Sequence, residues 1–389
     1  MTTRTILISV AAYLPGFKAG GPVRSTANLV EHLGDEYQFR IITADRDFGE
    51  TQPYRDIEPG RWYRVGKAEV CYLAPKQLRL HPLARLLRET PHDVLYLNSF
   101  LDPRFTTRPL LAQRLGLAPR SQVVLAPRGE FSSGALSLKV GKKRAYRAAS
   151  GLLGLHRGLI WQASSEAEAE DIRRTMAHVA SDIRIAPVLP RAAAAPRPAH
   201  ADRGGGPLRI AFLGRIAPMK NLLFALKVLE RVRAPVAFSI FGPREDATYW
   251  ARCARAIDAL PPNVSVTEHG PILAEQVHDS LAGHDLFFLP TRGENFGHVI
   301  AEALQAGLPL LISDQTPWRG LAQQGLGWDL PLSDQQAFAA AIEAVAWQSE
   351  ADWQARQAAI AAYAAGLRNV DAALAANRAL FEIMGASNE

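Results

Sequence analysis

The chain has 389 residues, of which 48% are hydrophobic and 21% are charged, as in an ordinary soluble globular protein. That length predicts two domains rather than one. No apolar run approaches the roughly 20 residues that a membrane-spanning helix needs, which argues against an integral membrane protein. The two cysteines, Cys71 and Cys253, are far apart and have no metal-binding spacing, which favours a reduced cytoplasmic setting.

The net charge of +6 is unevenly distributed along the chain. Residues 1–190 contain 27 Lys+Arg against 18 Asp+Glu, whereas the remaining residues contain 17 against 20. The basic half predicts an acidic partner such as phosphate or an anionic lipid. Its densest basic run, Lys139–Arg147, is either a solvated helix face or a peripheral membrane contact. Nucleic acid is disfavoured, because the chain has no aromatic-interleaved basic motif or helix-turn-helix pattern.

Short apolar runs separated by turns and helical patterns predict a doubly wound sheet in the first half. The predicted strands of this half cover residues 6–12, 38–43, 93–97, 122–126, 159–163 and 183–188. After the first of them, Gly20-Gly21-Pro22 indicates either a plain tight turn or a loop whose backbone approaches a ligand closely. Residues 45–59 predict a turn-rich surface loop. We discount Asp45-Arg46-Asp47 as a metal-binding aspartate pair, because such triplets arise easily by chance.

Polar residues follow two of these strands directly. Ligands of doubly wound sheets gather at the carboxyl ends of the strands, so Asn98 is placed to reach a substrate. Arg128 and Glu130 follow the strand at 122–126, where they could position an acceptor or a phosphate, or pair with each other as a structural bridge. The spacing from Ser165 to Glu168 predicts a helix capping box.

A segment rich in Ala, Pro and Gly divides the chain, and the strand-to-turn pattern then restarts. The bounds predicted from this change are a first Rossmann-like domain over 1–190, a linker over 191–206 and a second Rossmann-like domain over 207–371. The second domain's predicted strands cover residues 208–214, 236–241, 264–269, 285–289 and 310–313. Gly214-Arg215 and Lys220 lie in its first strand-to-helix turn.

The stretch Leu289–Ala303 combines the end of a buried strand, a glycine-broken loop and the opening turns of a helix. A helix start offers backbone N–H groups and a positive dipole end, which suit phosphate. Glu294 lies in the loop and Glu302 shares a helix face with His298, so carboxylates are available for hydroxyl groups. A nucleotide sugar carries both kinds of group. The alternative is that these carboxylates only cap the helix or are solvated.

The motif P-T-R-G-E-N-F-G-H-V-I-A-E-A-L, followed by A-G-L-P-L-L-I-S-D, resembles the C-terminal signature of the family 4 retaining glycosyltransferases. The resemblance implies an α/β protein of GT-B architecture, in which two facing Rossmann-like doubly wound domains enclose a cleft. It also implies that a C-terminal helix, residues 372–389, rejoins the first domain. A P-R-G segment before a lysine-rich helix is similar to bacterial polysaccharide- and lipopolysaccharide-assembly members.

The same resemblance implies roles for particular residues. Arg215 and Lys220 match the pair that neutralises the leaving diphosphate, and Glu294 holds sugar hydroxyls; these three are the implied catalytic residues. No metal or other cofactor is implied, and UDP is preferred over GDP as the donor's nucleotide. The implied donor-binding residues are Gly20, Gly21, Gly214, Asn295, Phe296, Gly297, His298, Glu302, Pro271 and Ile272. The candidate acceptor residues are Asn98, Arg128 and Glu130. Many relatives carry a histidine near Asn98, and this chain has none there.

Two other functions stay open at this stage. One is a non-catalytic nucleotide-binding or scaffold protein of a polysaccharide assembly complex, and the other is a GT-B epimerase. A phosphorylase needs a lysine for a covalently held cofactor, which we do not identify. A dinucleotide oxidoreductase is disfavoured because Gly20-Gly21 lacks a full G-x-G-x-x-G. The expected location is the cytoplasm, with peripheral contact to the inner face of the membrane as an open alternative.

Overall fold

A computed structural model of the chain describes residues 3–132, 141, 146, 150–151, 153–191, 206–367 and 369–383. It divides into two compact units, one of Met1–Ala192 with Val370–Glu389 and the other of Ala193–Asn369. The Lys residues of the basic run, together with Arg144 and Arg147, lie outside the described residues. So do residues 192–205 of the linker predicted over 191–206.

Unit 1 is built on a sheet that, in the described residues, has eight strands in the order β3-β4-β2-β1-β5-β6-β7-β8. All neighbours pair in parallel except β3 and β4, which form an antiparallel edge. The strands are β1 Thr5–Ser9, β2 Gln38–Ala44, β3 Trp62–Val65, β4 Ala68–Leu73, β5 Val94–Asn98, β6 Gln122–Ala126, β7 Ile160–Ala163 and β8 Asp182–Ile185. The chain reverses its direction of travel across the sheet between β1 and β5, which makes that junction the switch point where ligands bind in such folds.

Helices cover both faces of this sheet, which explains why its central strands are almost continuously apolar. Successive side chains of a strand point to opposite faces, so Leu95 and Leu97 join one buried cluster while Val94 and Tyr96 join the other. Numbered among the described residues, the helices are α1 Gly21–Leu33, α2 Leu80–Glu89, α3 Arg108–Arg114 and α4 Glu166–Met176. A π-helical turn, Pro103–Thr107, precedes α3.

Unit 2 contains a wholly parallel sheet with the order β11-β10-β9-β12-β13-β14. Its strands are β9 Leu208–Leu213, β10 Val236–Phe241, β11 Val264–Gly270, β12 Leu286–Leu289, β13 Leu310–Ser313 and β14 Gly327–Leu330. Counted from β9, this is the 3-2-1-4-5-6 order of a Rossmann sheet, with its switch point between β9 and β12.

One large apolar cluster forms the core of unit 2 and includes strand and helix residues throughout. The helices are α5 Leu222–Leu229, α6 Ala247–Asp258, α7 Val277–Ala282, α8 His298–Gln305, α9 Gln335–Ala346 and α10 Glu350–Gly366, with a 3₁₀ turn at Ala274–Gln276. These two parallel sheets confirm the predicted pair of Rossmann-like domains.

The last described helix, α11 Asp371–Leu380, lies against unit 1 although it follows unit 2 in the chain. Leu380 and Phe381 are fully buried, and the Phe381 ring packs on the edges of Tyr37, Phe39 and Tyr96. The carbonyl groups at the helix end, which lack partners within the helix, accept hydrogen bonds from Arg4, Gln122 and Arg184. These contacts anchor the C-terminal segment in the N-terminal unit.

Candidate functional site

The loop after β9 runs from Gly214 to Asn221 and leads directly into α5. Gly242 explains part of its shape, since its φ is 137° and a Cβ there would lie 2.0 Å from the Gly214 carbonyl oxygen. Only glycine permits this close approach of the β10 end to the β9 loop. The loop ends at Asn221, which is buried and has a left-handed backbone (φ 61°). Lys220 therefore projects from a well-defined turn at the switch point.

The loop after β12 is bonded to the loop after β9. Thr291 is buried, and its hydroxyl donates to the Met219 carbonyl at 3.1 Å. The Arg292 N–H donates to the same carbonyl at 2.8 Å, and the Ser313 hydroxyl donates to the Thr291 carbonyl. Because β9 and β12 flank the switch point, these bonds close its two sides into one rigid edge.

Lys220 and Glu294 form an ion pair across this edge. Their side chains are only 16% and 12% exposed, so water screens the pair much less than it screens a surface pair. The Glu294 N–H also donates to the Gln315 carbonyl at 3.1 Å, which fixes the loop that carries the carboxylate. A lysine has three N–H donors, so Lys220 can hold Glu294 and still donate to an anionic ligand.

Arg215 is the second cation predicted at this site. Its guanidinium pairs with Glu245, with 2.9 Å between Nη1 and Oε2, and both side chains are about one-third exposed. Exposed ion pairs contribute only about 0–1 kcal/mol, so an anionic ligand can replace Glu245 at little cost.

The start of α8 completes the edge. Gly297 is its N-cap, with φ 78°, and a Cβ there would lie 2.8 Å from Ile300 Cδ1. The Trp318 indole N–H donates to the Phe296 carbonyl at 2.6 Å, and the Phe296 ring packs edge-on against His298, with ring centroids 4.8 Å apart. The loop before α8 therefore depends on the backbone conformation of Gly297, and the rings of Phe296, His298 and Trp318 pack around it.

Other predicted donor-binding residues lie around the same edge of unit 2. Asn295 is half-buried beside Phe296, and Glu302 lies one turn into α8, also half-buried. Pro271 is exposed and Ile272 is half-buried directly after β11, where the Gly242 N–H donates to the Gly270 carbonyl at 2.8 Å. Since β9, β10, β11 and β12 are parallel, all these positions lie at the carboxyl edge of one sheet.

The remaining predicted residues belong to unit 1. Gly20 is the N-cap of α1 with φ 70°, and α1 begins at Gly21, so Pro22 occupies its second position. Asn98 is the last residue of β5, and Arg128 and Glu130 follow β6. These five residues lie at the carboxyl edge of the unit 1 sheet, around its own switch point.

Arg128 and Glu130 each bind a neighbouring strand end. Arg128 Nε donates to Asn98 Oδ1 at 2.9 Å, and Nη2 donates to the Tyr96 hydroxyl. The Glu130 carboxylate accepts from the N–H groups of Phe100 and Leu101, at 2.6 and 2.9 Å. The sequence left two alternatives open, that Arg128 and Glu130 bind a ligand or that they pair with each other. Their actual partners lie about 30 positions earlier in the chain, where a local pattern does not reveal them.

The predicted surface loop at 45–59 differs from expectation, because Asp45 and Asp47 are buried. Asp45 pairs with Arg46, and Asp47 accepts hydrogen bonds from the N–H groups of Phe17 and Lys18. Both carboxylates therefore have structural partners, and Asp47 fixes the loop that leads to Gly20. In the described residues no three His, Cys, Asp or Glu side chains are grouped so that they could hold a metal ion.

Sequence reasoning did not include several residues that shape these edges. In the sequence, Thr291 and Thr26 are not distinguished from other polar residues. The predicted capping residue Glu168 accepts from the Gly129 and Ser164 N–H groups, in addition to its own N–H bond to Ser165. Thr291 is fully buried and is identified only by its hydrogen bond to the Met219 carbonyl, a partner 72 positions earlier in the chain.

Comparison with solved structures decides the architecture. HepE of Anabaena, in complex with UDP and glucose, has a TM-score of 0.70 at 13% identity, covering 97% of this chain and 98% of that one. A sucrose-phosphate synthase of Thermosynechococcus elongatus has a TM-score of 0.69 at 14% identity, covering 98% of both chains. The chain has the GT-B fold. A UDP-forming trehalose-phosphate synthase of Burkholderia xenovorans aligns similarly, with a TM-score of 0.68 at 14% identity over 98% of this chain and 99% of that one.

Sequence comparison places the glycosyltransferase signal of this GT-B chain in unit 2. Residues 207–346 match the family model of glycosyl transferases group 1, and this range contains the loops after β9 and β12 and the start of α8. No curated protein sequence matches the chain. Among the described residues, no helix combines the length and apolar character needed to cross a membrane.

Proposed function

We propose that this GT-B protein is a family 4 retaining glycosyltransferase that moves a sugar from a nucleoside-diphosphate donor to an acceptor in cell-surface polysaccharide or lipopolysaccharide assembly. One observation carries the proposal: the half-buried Lys220–Glu294 pair at the switch point between β9 and β12, next to the start of α8. The group 1 family match over this region supports it. The complex of HepE with UDP and glucose supports a UDP-sugar as donor.

Negative charge grows most on the departing diphosphate, so cationic groups near it lower the barrier. In the proposed reaction Lys220 and Arg215 donate to the diphosphate oxygens, and the first-turn amides of α8 add their positive dipole end. Lys220 keeps Glu294 as a partner while it does so, which holds the carboxylate in place for the sugar hydroxyls. These groups supply the charge neutralisation that a metal ion supplies in other transferases, and we therefore propose that transfer is metal-independent.

We assign the other donor contacts from where each residue lies at the carboxyl edge of its sheet. Glu302, one turn into α8, accepts hydrogen bonds from the ribose hydroxyls, and the backbone at Asn295–Gly297 lies beside the transferred sugar. Pro271 and Ile272 border the nucleobase, and Gly214 lets the diphosphate approach the β9 loop. His298 is the first residue of α8, and we assign it a binding role. Within unit 1, Gly20 and Gly21 are proposed as donor-binding residues, and Asn98, Arg128 and Glu130 are proposed as acceptor-binding residues.

The direct test replaces each member of the pair. We expect Lys220→Ala and Glu294→Ala to fold but to lose transfer from a labelled UDP-sugar by roughly 100-fold or more, in the range found when one group that stabilises the transition state is removed. Lys227→Ala is the matched control, because Lys227 is an exposed lysine of the adjoining helix α5. Circular dichroism and thermal melting check the fold of each variant. Unchanged turnover in either test variant would remove that residue from the proposed machinery.

A thermal-shift panel with UDP, GDP, ADP and their sugars identifies the donor, since a ligand that binds only the folded state raises its melting temperature. Release of nucleotide from a labelled donor then separates a transferase from a scaffold protein, and conversion of the sugar without release indicates an epimerase. EDTA is expected to leave the transfer rate intact. Strong inhibition would contradict metal independence.

A further inference from the structure

Two non-glycine residues with unusual backbone conformations stand at neighbouring strand ends of unit 1. Ser99 has φ 130° and directly follows β5, and Arg128 has φ 57° and lies two residues after β6. Such conformations cost free energy and persist only where the surrounding structure imposes them, and they cluster at ligand sites. Here both occur at the switch point of the sheet, where ligands of parallel α/β folds bind.

The Arg128 side chain is half-buried and is held by neutral partners. It donates to Asn98 Oδ1 and to the Tyr96 hydroxyl, so two of its five N–H groups are used. Burial raises the pKa of Tyr96, although the Arg128 charge opposes that effect, so Tyr96 remains a neutral partner. In the part of the chain that the structure describes, no carboxylate forms an ion pair with Arg128, whereas Arg184 and Arg209 each pair with one.

The neutral partners are themselves fixed. Asn98 Nδ2 donates to Thr26 Oγ1 at 2.9 Å, and the Tyr96 hydroxyl donates to Gln162 Oε1. Asn98 is 4% exposed and Tyr96 is fully buried. Arg128 is therefore presented by a rigid polar network. Its hydrogen-bond partners among the described residues are neutral, and it keeps guanidinium N–H groups for a ligand.

The two nearby carboxylates are occupied by backbone. Glu130 accepts from the Ser99 hydroxyl and from the Phe100 and Leu101 N–H groups, and Glu168 accepts from the Gly129 N–H at 2.6 Å. They hold the loops on both sides of Arg128 in their strained conformations. The carboxylates thus shape the site and the guanidinium supplies its charge.

We propose that Arg128 binds an oxyanion, the phosphate or carboxylate group of an anionic acceptor, with Asn98 and Tyr96 as positioning residues. The identity of the ligand as an acceptor rests on the proposed glycosyltransferase function, but the anion site itself does not. A planar guanidinium can bind such a group through two parallel N–H bonds, which also orients the molecule that carries it. The acceptor would then place its reacting hydroxyl relative to this anchor.

The test is a calorimetric titration of inorganic phosphate, and separately of acetate, into the Lys220→Ala, Arg215→Ala protein, in which both side-chain cations of the proposed diphosphate site are removed. We expect one anion site, weakened by roughly 10-fold or more when Arg128→Gln is added, since a charge-assisted hydrogen bond is lost. Asn98→Asp should have the same effect, because it places a nearly isosteric carboxylate against the guanidinium. Arg128→Lys should retain part of the binding, and the phosphate and acetate arms show which oxyanion is preferred.

Arg120→Gln is the matched control, since it removes the same charge from an exposed arginine of unit 1 and should leave binding intact. Thermal melting reports the fold of each variant, and Asn98→Asp keeps the test decisive if Arg128→Gln fails to fold. Equal phosphate binding with and without Arg128, equal losses in the control, or no anion binding at all would overturn the proposal. Because the readout is binding alone, anion binding together with no sugar transfer by the wild-type protein would refute the proposed function and leave this site standing.

Discussion

At the scale of single residues, His156 is the most unusual buried group. It is 1% exposed, and its ring lies against Phe100 and Trp161, with centroids 4.7 and 5.9 Å away. Neither ring nitrogen has a hydrogen-bond partner among the described residues. Burial, assisted by the positive charge of Arg114, lowers the pKa of His156 to about 4. The folded protein therefore holds this imidazole neutral.

This gives a prediction for stability in mild acid. Unfolded His156 binds a proton below about pH 6.5, whereas folded His156 does so only near pH 4, so its contribution to stability is full above pH 6.5 and is lost as the pH falls toward 4. The loss is on the order of 3 kcal/mol from the two pKa values. Urea unfolding of wild type and His156→Phe at pH 7 and pH 4.5 measures it. Other groups titrate equally in both proteins, so identical losses would show that His156 does not contribute.

Single residues also show where sequence reasoning fails. The pattern around Asp47 predicts a surface turn, because it is rich in polar and turn-forming residues, yet the carboxylate is buried and accepts N–H groups about 30 positions earlier in the chain. A local pattern contains no information about such distant partners. By contrast, Gly297 and the residues around it were predictable, since glycine at a strand-to-helix turn has a local conformational cause.

At the scale of elements, α11 depends on aromatic packing more than on charge. Phe381 is fully buried among three aromatic rings, whereas the Arg378–Glu36 pair is about 40% exposed at both ends. Removing a buried aromatic ring costs about 3–5 kcal/mol in transfer and cavity terms. An exposed ion pair contributes about 0–1 kcal/mol.

We therefore expect Phe381→Ala to destabilise unit 1 by about 3–5 kcal/mol. The matched control is Arg378→Ala, one turn earlier in the same C-terminal segment, which should destabilise it by less than about 1 kcal/mol. Chemical denaturation followed by tyrosine and tryptophan fluorescence measures both. Equal effects would show that the helix is held by its surface contacts.

Most strands were predictable at this scale because both faces of each sheet are buried, which makes a central strand a short, continuous apolar run. The hairpin of β3 and β4 was not predicted. β3 is an antiparallel edge strand whose residues are half-buried or exposed, so it lacks such a run. Strand β14 was missed for a related reason, since three of its four residues are half-buried.

At the scale of the molecule, each unit has its own apolar core, which predicts separate unfolding. We expect two calorimetric transitions for the intact chain. UDP should raise mainly the transition of unit 2, by about 2.7 kcal/mol of stability at about 100 times its Kd, and Phe381→Ala should lower only the other. A single transition, or two that shift equally with UDP, would contradict independent cores and a nucleotide site held mainly by unit 2.

The repeated alternation of strands and helices makes two Rossmann-like units predictable from the sequence alone, since parallel strands require crossover helices. The return of α11 to unit 1 has no local signal and was implied only by the family resemblance. The candidate acceptor residues of unit 1 were the least predictable part. Their positions are fixed by hydrogen bonds that join β5, the loop after β6 and α1, and the sequence does not show such contacts.

The return of the C-terminal segment has a consequence for biosynthesis. Unit 1 emerges from the ribosome first but lacks Leu380 and Phe381 until all of unit 2 has been translated. During that interval the apolar surface that they cover is open to solvent and to other nascent chains. A premature stop codon shortly before Val370 would therefore leave unit 2 nearly complete but remove Leu380 and Phe381 from the core of unit 1, which is translated first.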